Sequence, residues 1–190
     1  MENMEHKKVA KFLAIIGYLF MILSFFEIEF FILLNFTEFN DIETDPVLIS
    51  DFIYGSDYIS LTGTILWLFT VGSMICFLIF GFFILRTSKS EKIEDKLLAK
   101  LMVVIGMIIV LGAFVKMNYI VLLGKIKIST LHGKVAFQSA LYDFNITPIL
   151  PAIMWLYFIS VTFFFMISGL ITTALGIKWT LLVDRPEDTK

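Results

Sequence analysis

Glu27 and Glu29 are the residues of this chain best placed to do chemistry, because both lie in the run Phe12 to Leu34, otherwise interrupted only by Gly17 and Ser24. A run of that length can cross a bilayer as a helix. A charged side chain near the centre of a spanning helix costs roughly 2.5 to 3.5 kcal/mol to insert, so such groups face protein or water instead of lipid. Counterparts exist at the matching depth. Glu27 lies sixteen residues beyond Lys11, and Lys116 lies sixteen beyond Lys100, which is about 24 Å in each case at helical rise. Glu29 and Asn118 repeat the coincidence two residues further out. Residues two apart on a helix point about 200° apart, so only one of the two glutamates can face Lys116 directly.

Three chemistries compete for these four polar residues. The leading expectation is an ion pair between Glu27 and Lys116 that fixes the first spanning helix against the third. A unit pair 4 Å apart is worth roughly 4 kcal/mol at an effective dielectric of 20, comparable to the insertion penalty of one member. The second is that Glu27, Glu29 and Lys116 are shallower than their count suggests and snorkel to the interface. The third is a working site, either a proton-titrating carboxylate or a cation pathway.

The elements that must position these groups follow from composition. Hydrophobic residues make up 58% of the 190-residue chain, against about 45 to 50% in soluble domains. They are gathered into four runs, which predict transmembrane helices over about 12–34, 62–85, 101–123 and 148–176, each long enough for a hydrocarbon core about 30 Å thick. The expected fold is an all-α integral membrane protein, a four-transmembrane-helix bundle forming one membrane domain over 1–190. The first apolar run exceeds the roughly 7 to 15 residues of a cleavable signal, so it is expected to remain as an anchor.

Lysine and arginine set the orientation. The N-terminal tail holds Lys7, Lys8 and Lys11, the connection 86–100 holds Arg86, Lys89, Lys92, Lys96 and Lys100, and the C-terminal tail 177–190 holds Lys178, Arg185 and Lys190. By the positive-inside rule both termini and the central connection are cytoplasmic, and the connections 35–61 and 124–147 are external, in a protein of the cell membrane. Trp179 is expected at the inner interface, and Tyr58, Tyr119 and Trp155 near the outer one.

The first external loop carries Glu38, Asp41, Glu43, Asp45, Asp51 and Asp57 and no cation, whereas the second carries Lys125, Lys127 and Lys134 against Asp143. Opposite signs on one side predict that the loops dock on each other; the alternative is that both are simply solvated and screened. Lys125 to Ile128 alternates polar and apolar side chains, and the segment through Gln138 reads as a hairpin turning near His132 and Gly133. Val47 to Tyr54, after Asp45-Pro46, reads as a strand of the same small external β element, or as a short amphipathic helix lying on the membrane. Asn35-Phe36-Thr37 and Asn145-Ile146-Thr147 match the glycosylation sequon, a pattern that also arises often by chance. Gly72 with Cys76, and Ser168, Thr172 and Gly176, follow the small-xxx-small spacing that lets helices approach closely, and Gly106, Gly112 and Ala113 do the same in the third helix.

Cys76 is the sole cysteine and His6 and His132 the sole histidines. That rules out an intrachain disulfide, a thiolate zinc site and a haem held between two membrane histidines. There is no phosphate loop, nucleophile elbow or HExxH motif, so no cofactor and no enzymatic activity are expected. The layout resembles the claudin-like and other tetraspan membrane proteins, but the first loop lacks the paired cysteines and the tryptophan-containing motif of claudins, so the resemblance transfers no residue. The expected partners are the lipid bilayer and either another membrane protein or further copies of the chain; nucleic acid is not among them. The expected function is that of a non-enzymatic accessory, adhesion or organising protein. The alternative is a small oligomeric transporter or cation-channel component using Glu27 or Glu29.

Overall fold

The computed structural model of the chain describes residues 2–39, 47–54, 61–89, 96–130, 133–143 and 148–183. In order these form helix α1 (Glu2–Asn35), strands β1 (Glu38–Phe39) and β2 (Val47–Leu48), the short helix α2 (Ile49–Tyr54), helices α3 (Leu61–Ser88) and α4 (Lys96–Gly124), strands β3 (Lys127–Thr130) and β4 (Gly133–Ala136), the short helix α5 (Phe137–Tyr142), and helix α6 (Ile149–Val183). The protein is thus all-α, with four helices long and apolar enough to cross a membrane: α1, α3, α4 and α6. Each extends beyond its apolar run into residues such as Lys7, Lys8, Arg86 and Lys96. A helix satisfies its own backbone hydrogen bonds, so it needs no change of structure where it leaves the apolar phase.

Each long helix is apolar all round yet buries only one stripe against its neighbours. In α1 the stripe is Val9, Leu13, Ile16, Phe20, Ser24, Glu27, Phe31 and Leu34, and in α4 it is Ala99, Met102, Ile105, Ile109, Ala113, Lys116, Ile120 and Leu123. The three- and four-residue spacing is that of one helix face. Buried hydroxyls bond within their own helices: Thr70 to the Leu66 carbonyl, Thr162 to Phe158 and Thr172 to Ser168. That is the usual solution where water is absent.

The chain divides into two compact units. The terminal unit comprises Met1–Ser24, Cys76–Ala113 and Phe164–Lys190. At its centre Phe165 of α6 stacks on Phe20 of α1 and on Phe77 of α3, with ring centroids 4.5 and 4.6 Å apart respectively. Two glycine seams close it. A Cβ on Gly17 would stand 2.8 Å from the Leu85 backbone nitrogen, and one on Gly81 would stand 3.0 Å from that of Met21, so α1 and α3 meet backbone to backbone. The same is true of α4 and α6 at Gly106, Gly169 and Gly176. Gly72 has nothing near its Cβ position and Cys76 is exposed, so the spacing that marked them does not locate a contact.

The loop-bearing unit comprises Phe25–Ile75 and Phe114–Phe163. Its four long-helix segments form a ring: Phe31 of α1 packs on Trp67 of α3, Phe69 of α3 stacks on Tyr119 of α4, Trp155 of α6 reaches Gly124 of α4, and Tyr157 of α6 meets Phe30 of α1 edge to face. Helices α1 and α4 are therefore diagonal across this unit, each flanked by α3 and α6. Trp155 lies in the core cluster and Trp179 is buried in the terminal unit, so both indoles pack against protein. Tyr58 lies outside the described residues.

Each loop builds its own antiparallel ladder. Glu38 pairs with Leu48 and Phe39 with Val47, while Lys127 pairs with Ala136 and Thr130 with Gly133. No strand of one loop pairs with a strand of the other among the described residues, so the single small sheet expected from both loops is replaced by two. Val47 to Tyr54 is mainly helix α2, and the second hairpin ends at Ala136, where α5 takes over. The reason lies in spacing: Phe137, Ala140 and Leu141, at i, i+3 and i+4, are the three buried residues of α5. A helical turn puts all three on one side, which a strand cannot do.

Candidate functional site

The buried stripes of α1 and α4 aim Glu27 and Lys116 at each other across the diagonal of the loop-bearing unit. Neither side chain has any solvent exposure, and Lys116 Nζ donates to Glu27 Oε1. Glu27 Oε2 has no hydrogen-bond partner among the described residues. The surroundings are aromatic, with Phe30 against Tyr157 and Phe31 against Trp67, at 4.8 Å between centroids in both cases. In so apolar an environment an isolated charge of either sign would be severely destabilising, and the pair makes each tolerable. It can hold the two diagonal helices at a fixed relative height.

The other two membrane candidates do not meet. Glu29 and Asn118 are both exposed, as the 200° rotation from their inward neighbours requires. Asn118 Nδ2 donates to the Phe114 carbonyl of its own helix at 2.9 Å. Among the described residues Glu29 has no hydrogen bond or ion pair.

The expected charge docking of the loops falls largely on residues outside those described. Glu38, Asp51, Lys125, Lys127 and Lys134 are exposed and form no ion pair with one another among the described residues. Asp41, Glu43, Asp45, Asp57 and His132 lie outside those residues, as does the sequon at Asn145. An apolar cluster takes in residues of both loops. Ile49 of the first loop and Ile128, Phe137, Ala140 and Leu141 of the second belong to one buried cluster with Trp67 and Trp155. Phe137 is its hub, its ring edge-on to Trp67 at 6.1 Å and to Trp155 at 5.6 Å between centroids. The loop backbones are tied at its margins, with Ile49 N–H donating to the Thr37 carbonyl at 2.8 Å and Phe137 N–H to the Ile126 carbonyl at 2.7 Å. At the other sequon, Asn35 Nδ2 donates to the Phe31 carbonyl at 2.7 Å.

Elsewhere, a groove of about 360 Å³ in the terminal unit is lined by Lys100, Val103, Val104, Ile177, Thr180 and Leu181. Thr180 Oγ1 donates to the Gly176 carbonyl, leaving walls with no acid–base pair. Among the described residues no three His, Cys, Asp or Glu side chains gather as a metal site would need. Sequence reasoning found Glu27 and Lys116 but missed Phe137, whose signal was the helical spacing it shares with Ala140 and Leu141. The chain matches no family model, no curated protein and no solved structure.

Proposed function

We propose that this chain is a non-enzymatic integral membrane protein that acts as an accessory or organising subunit, recognising another membrane protein through its two loops and its outward helix faces. In this reading both termini and the connection 86–100 are cytoplasmic, as the lysine and arginine distribution indicates, and the loops face outward from the cell membrane. The supporting observation is the shared apolar cluster of Ile49, Ile128, Phe137, Ala140 and Leu141 over Trp67 and Trp155. Loops without a role need no common core. Here one core holds both on the helix ends and displays Glu38, Asp51, Lys125, Lys127 and Lys134 at the surface. A preordered surface loses less conformational entropy on binding than a mobile loop does.

Transport through Glu27 or Glu29 finds less support, since Glu27 is closed by Lys116 and Glu29 points away from the helix core. Gentle solubilisation from native membranes is the direct test. A larger membrane protein should co-migrate in fixed ratio and be lost when Lys125, Lys127 and Lys134 are all replaced by Glu. Cation flux in vesicles of the purified chain, abolished by Glu27→Gln, would instead establish transport and sink the accessory reading.

A further inference from the structure

The loop-bearing unit leaves two polar side chains on faces that are otherwise apolar. Glu29 lies in the exposed stripe of α1 formed by Phe25, Phe26, Ile32 and Leu33, and Asn118 in that of α4 formed by Phe114, Val115, Val121 and Leu122. Both helices are long and apolar enough to span a membrane, so these faces meet lipid or another protein. Lipid offers Glu29 no donor, and polar groups at such depth are found against protein or water.

Two features of geometry relate the residues. The buried Glu27–Lys116 pair fixes the height of α1 against α4, and each outward residue stands two positions beyond a member of that pair, which puts them at one level. The helix ends agree: Asn35 is six residues beyond Glu29, and Gly124 six beyond Asn118. Direction is set by the same pair. Because α1 and α4 are diagonal and Glu27 and Lys116 point inward toward each other, a rotation of about 200° on each helix turns Glu29 and Asn118 to opposite outer faces.

We infer that Glu29 of one copy accepts a hydrogen bond from Asn118 of a second copy, joining copies head to tail in the membrane plane. The chemistry is complementary. The Asn118 amide spends one N–H on the Phe114 carbonyl and keeps another, while the Glu29 carboxylate accepts only. Opposite faces at equal height make the contact heterologous, so it propagates in files or rings and does not close as a symmetric dimer. Asparagine side chains hydrogen-bond across spanning helices and help to hold them together. The inference rests on the proposed membrane role but supplies a different partner, namely the chain itself.

The test uses full-length protein in membranes with Cys76→Ser as background. Two differently tagged forms are co-expressed, one with Leu33→Cys and one with Leu122→Cys, positions one turn beyond Glu29 and Asn118 on the same exposed faces, which leaves the proposed bond in place, and oxidised. Disulfides require Cα atoms within about 7 Å. The mixed 33–122 product should exceed both the 33–33 and the 122–122 products several-fold. Separately, Glu29→Leu and Asn118→Leu should each shift the assembly toward monomer on native gels, and the double change should shift it no further, since both remove one contact. Neither residue is in the core, so both variants keep the fold, which the retained Glu27–Lys116 stability checks. Equal or greater 33–33 cross-linking, or unchanged assembly in both leucine variants, overturns the inference. If self-association fails while a larger protein still co-migrates in fixed ratio, the accessory role stands alone; if self-association holds and nothing else co-migrates, the accessory role is the one that falls.

Discussion

A carboxylate and an ammonium that have both lost all contact with solvent are bound to each other by what each would cost alone. Removing one partner of a buried pair typically costs about 3 to 5 kcal/mol, whereas replacing both by apolar residues of similar size is often neutral or stabilising by about 1 to 4 kcal/mol. Glu27→Leu alone should therefore lower the unfolding midpoint in mixed detergent micelles sharply, and Lys116→Met alone should do the same. The double variant should recover to wild-type stability or above. If the double variant instead loses the sum of the two single effects, the pair is not what holds these residues, and Glu27 is in demand elsewhere. The level of the pair was legible in the sequence, because lysines at the helix starts give a depth scale. The equal count from Lys11 and Lys100 also singled out Glu27 as the partner of Lys116, although the apolar pattern around it gives no such signal, because Phe25, Phe26, Ile28 and Phe30 are apolar on every side of the turn. In a spanning helix the lipid face is as hydrophobic as the core face, so the pattern that identifies buried residues in a soluble helix is absent.

Helices that meet through glycine are sensitive in a way that helices meeting through larger side chains are not. A Cβ on Gly106 would stand 2.6 Å from the Thr173 backbone nitrogen, and one on Gly176 would stand 2.8 Å from that of Val103. Backbone cannot rotate aside, so Gly106→Ala should force α4 from α6 and cost about 1 to 3 kcal/mol, the usual scale of overpacking. Gly72→Ala is the control: with open space at its Cβ, it should be neutral or gain up to about 1 kcal/mol from helix propensity. Equal losses at both positions in the same unfolding assay would mean that the α4–α6 seam is looser than its geometry. The hairpin has a comparable point at Gly133, whose φ of 113° is a conformation L side chains rarely adopt. Gly133→Val should cost about 1 to 3 kcal/mol and raise amide exchange in β3 and β4 first. Small-residue spacing correctly included Gly106 and Gly176 and wrongly promoted Gly72 and Cys76, while Gly17, Gly81 and Gly169 were passed over. Spacing states where close approach is permitted; which permitted sites are used depends on how the helices are arranged, and no single helix encodes that.

At the scale of the whole molecule, the consequential feature is that both loops share a core with the helix ends beneath them. Alternating residues made the hairpin legible, whereas the apolar cluster that the two loops share was not read from the sequence. Exposed charges a few ångströms apart in water attract weakly and are screened. Burying Ile49, Ile128 and Phe137 together removes apolar area from water at about 25 cal/mol per Å². Phe137 touches both buried tryptophans, so Phe137→Ala should cost about 3 to 5 kcal/mol, as large aromatic truncations in cores do. The informative readout is where that loss falls. If the loops and helix ends form one cooperative unit, hydrogen exchange should quicken together in β3, β4 and α2, although α2 belongs to the other loop and is far from Phe137 in sequence. Faster exchange confined to β3 and β4, with α2 unchanged, would mean that the loops fold separately and that no single recognition surface exists. Triple replacement of Lys125, Lys127 and Lys134 by Glu offers the converse comparison: it should leave exchange in all three elements near wild type, because the three lysines are exposed and lie outside the shared apolar cluster.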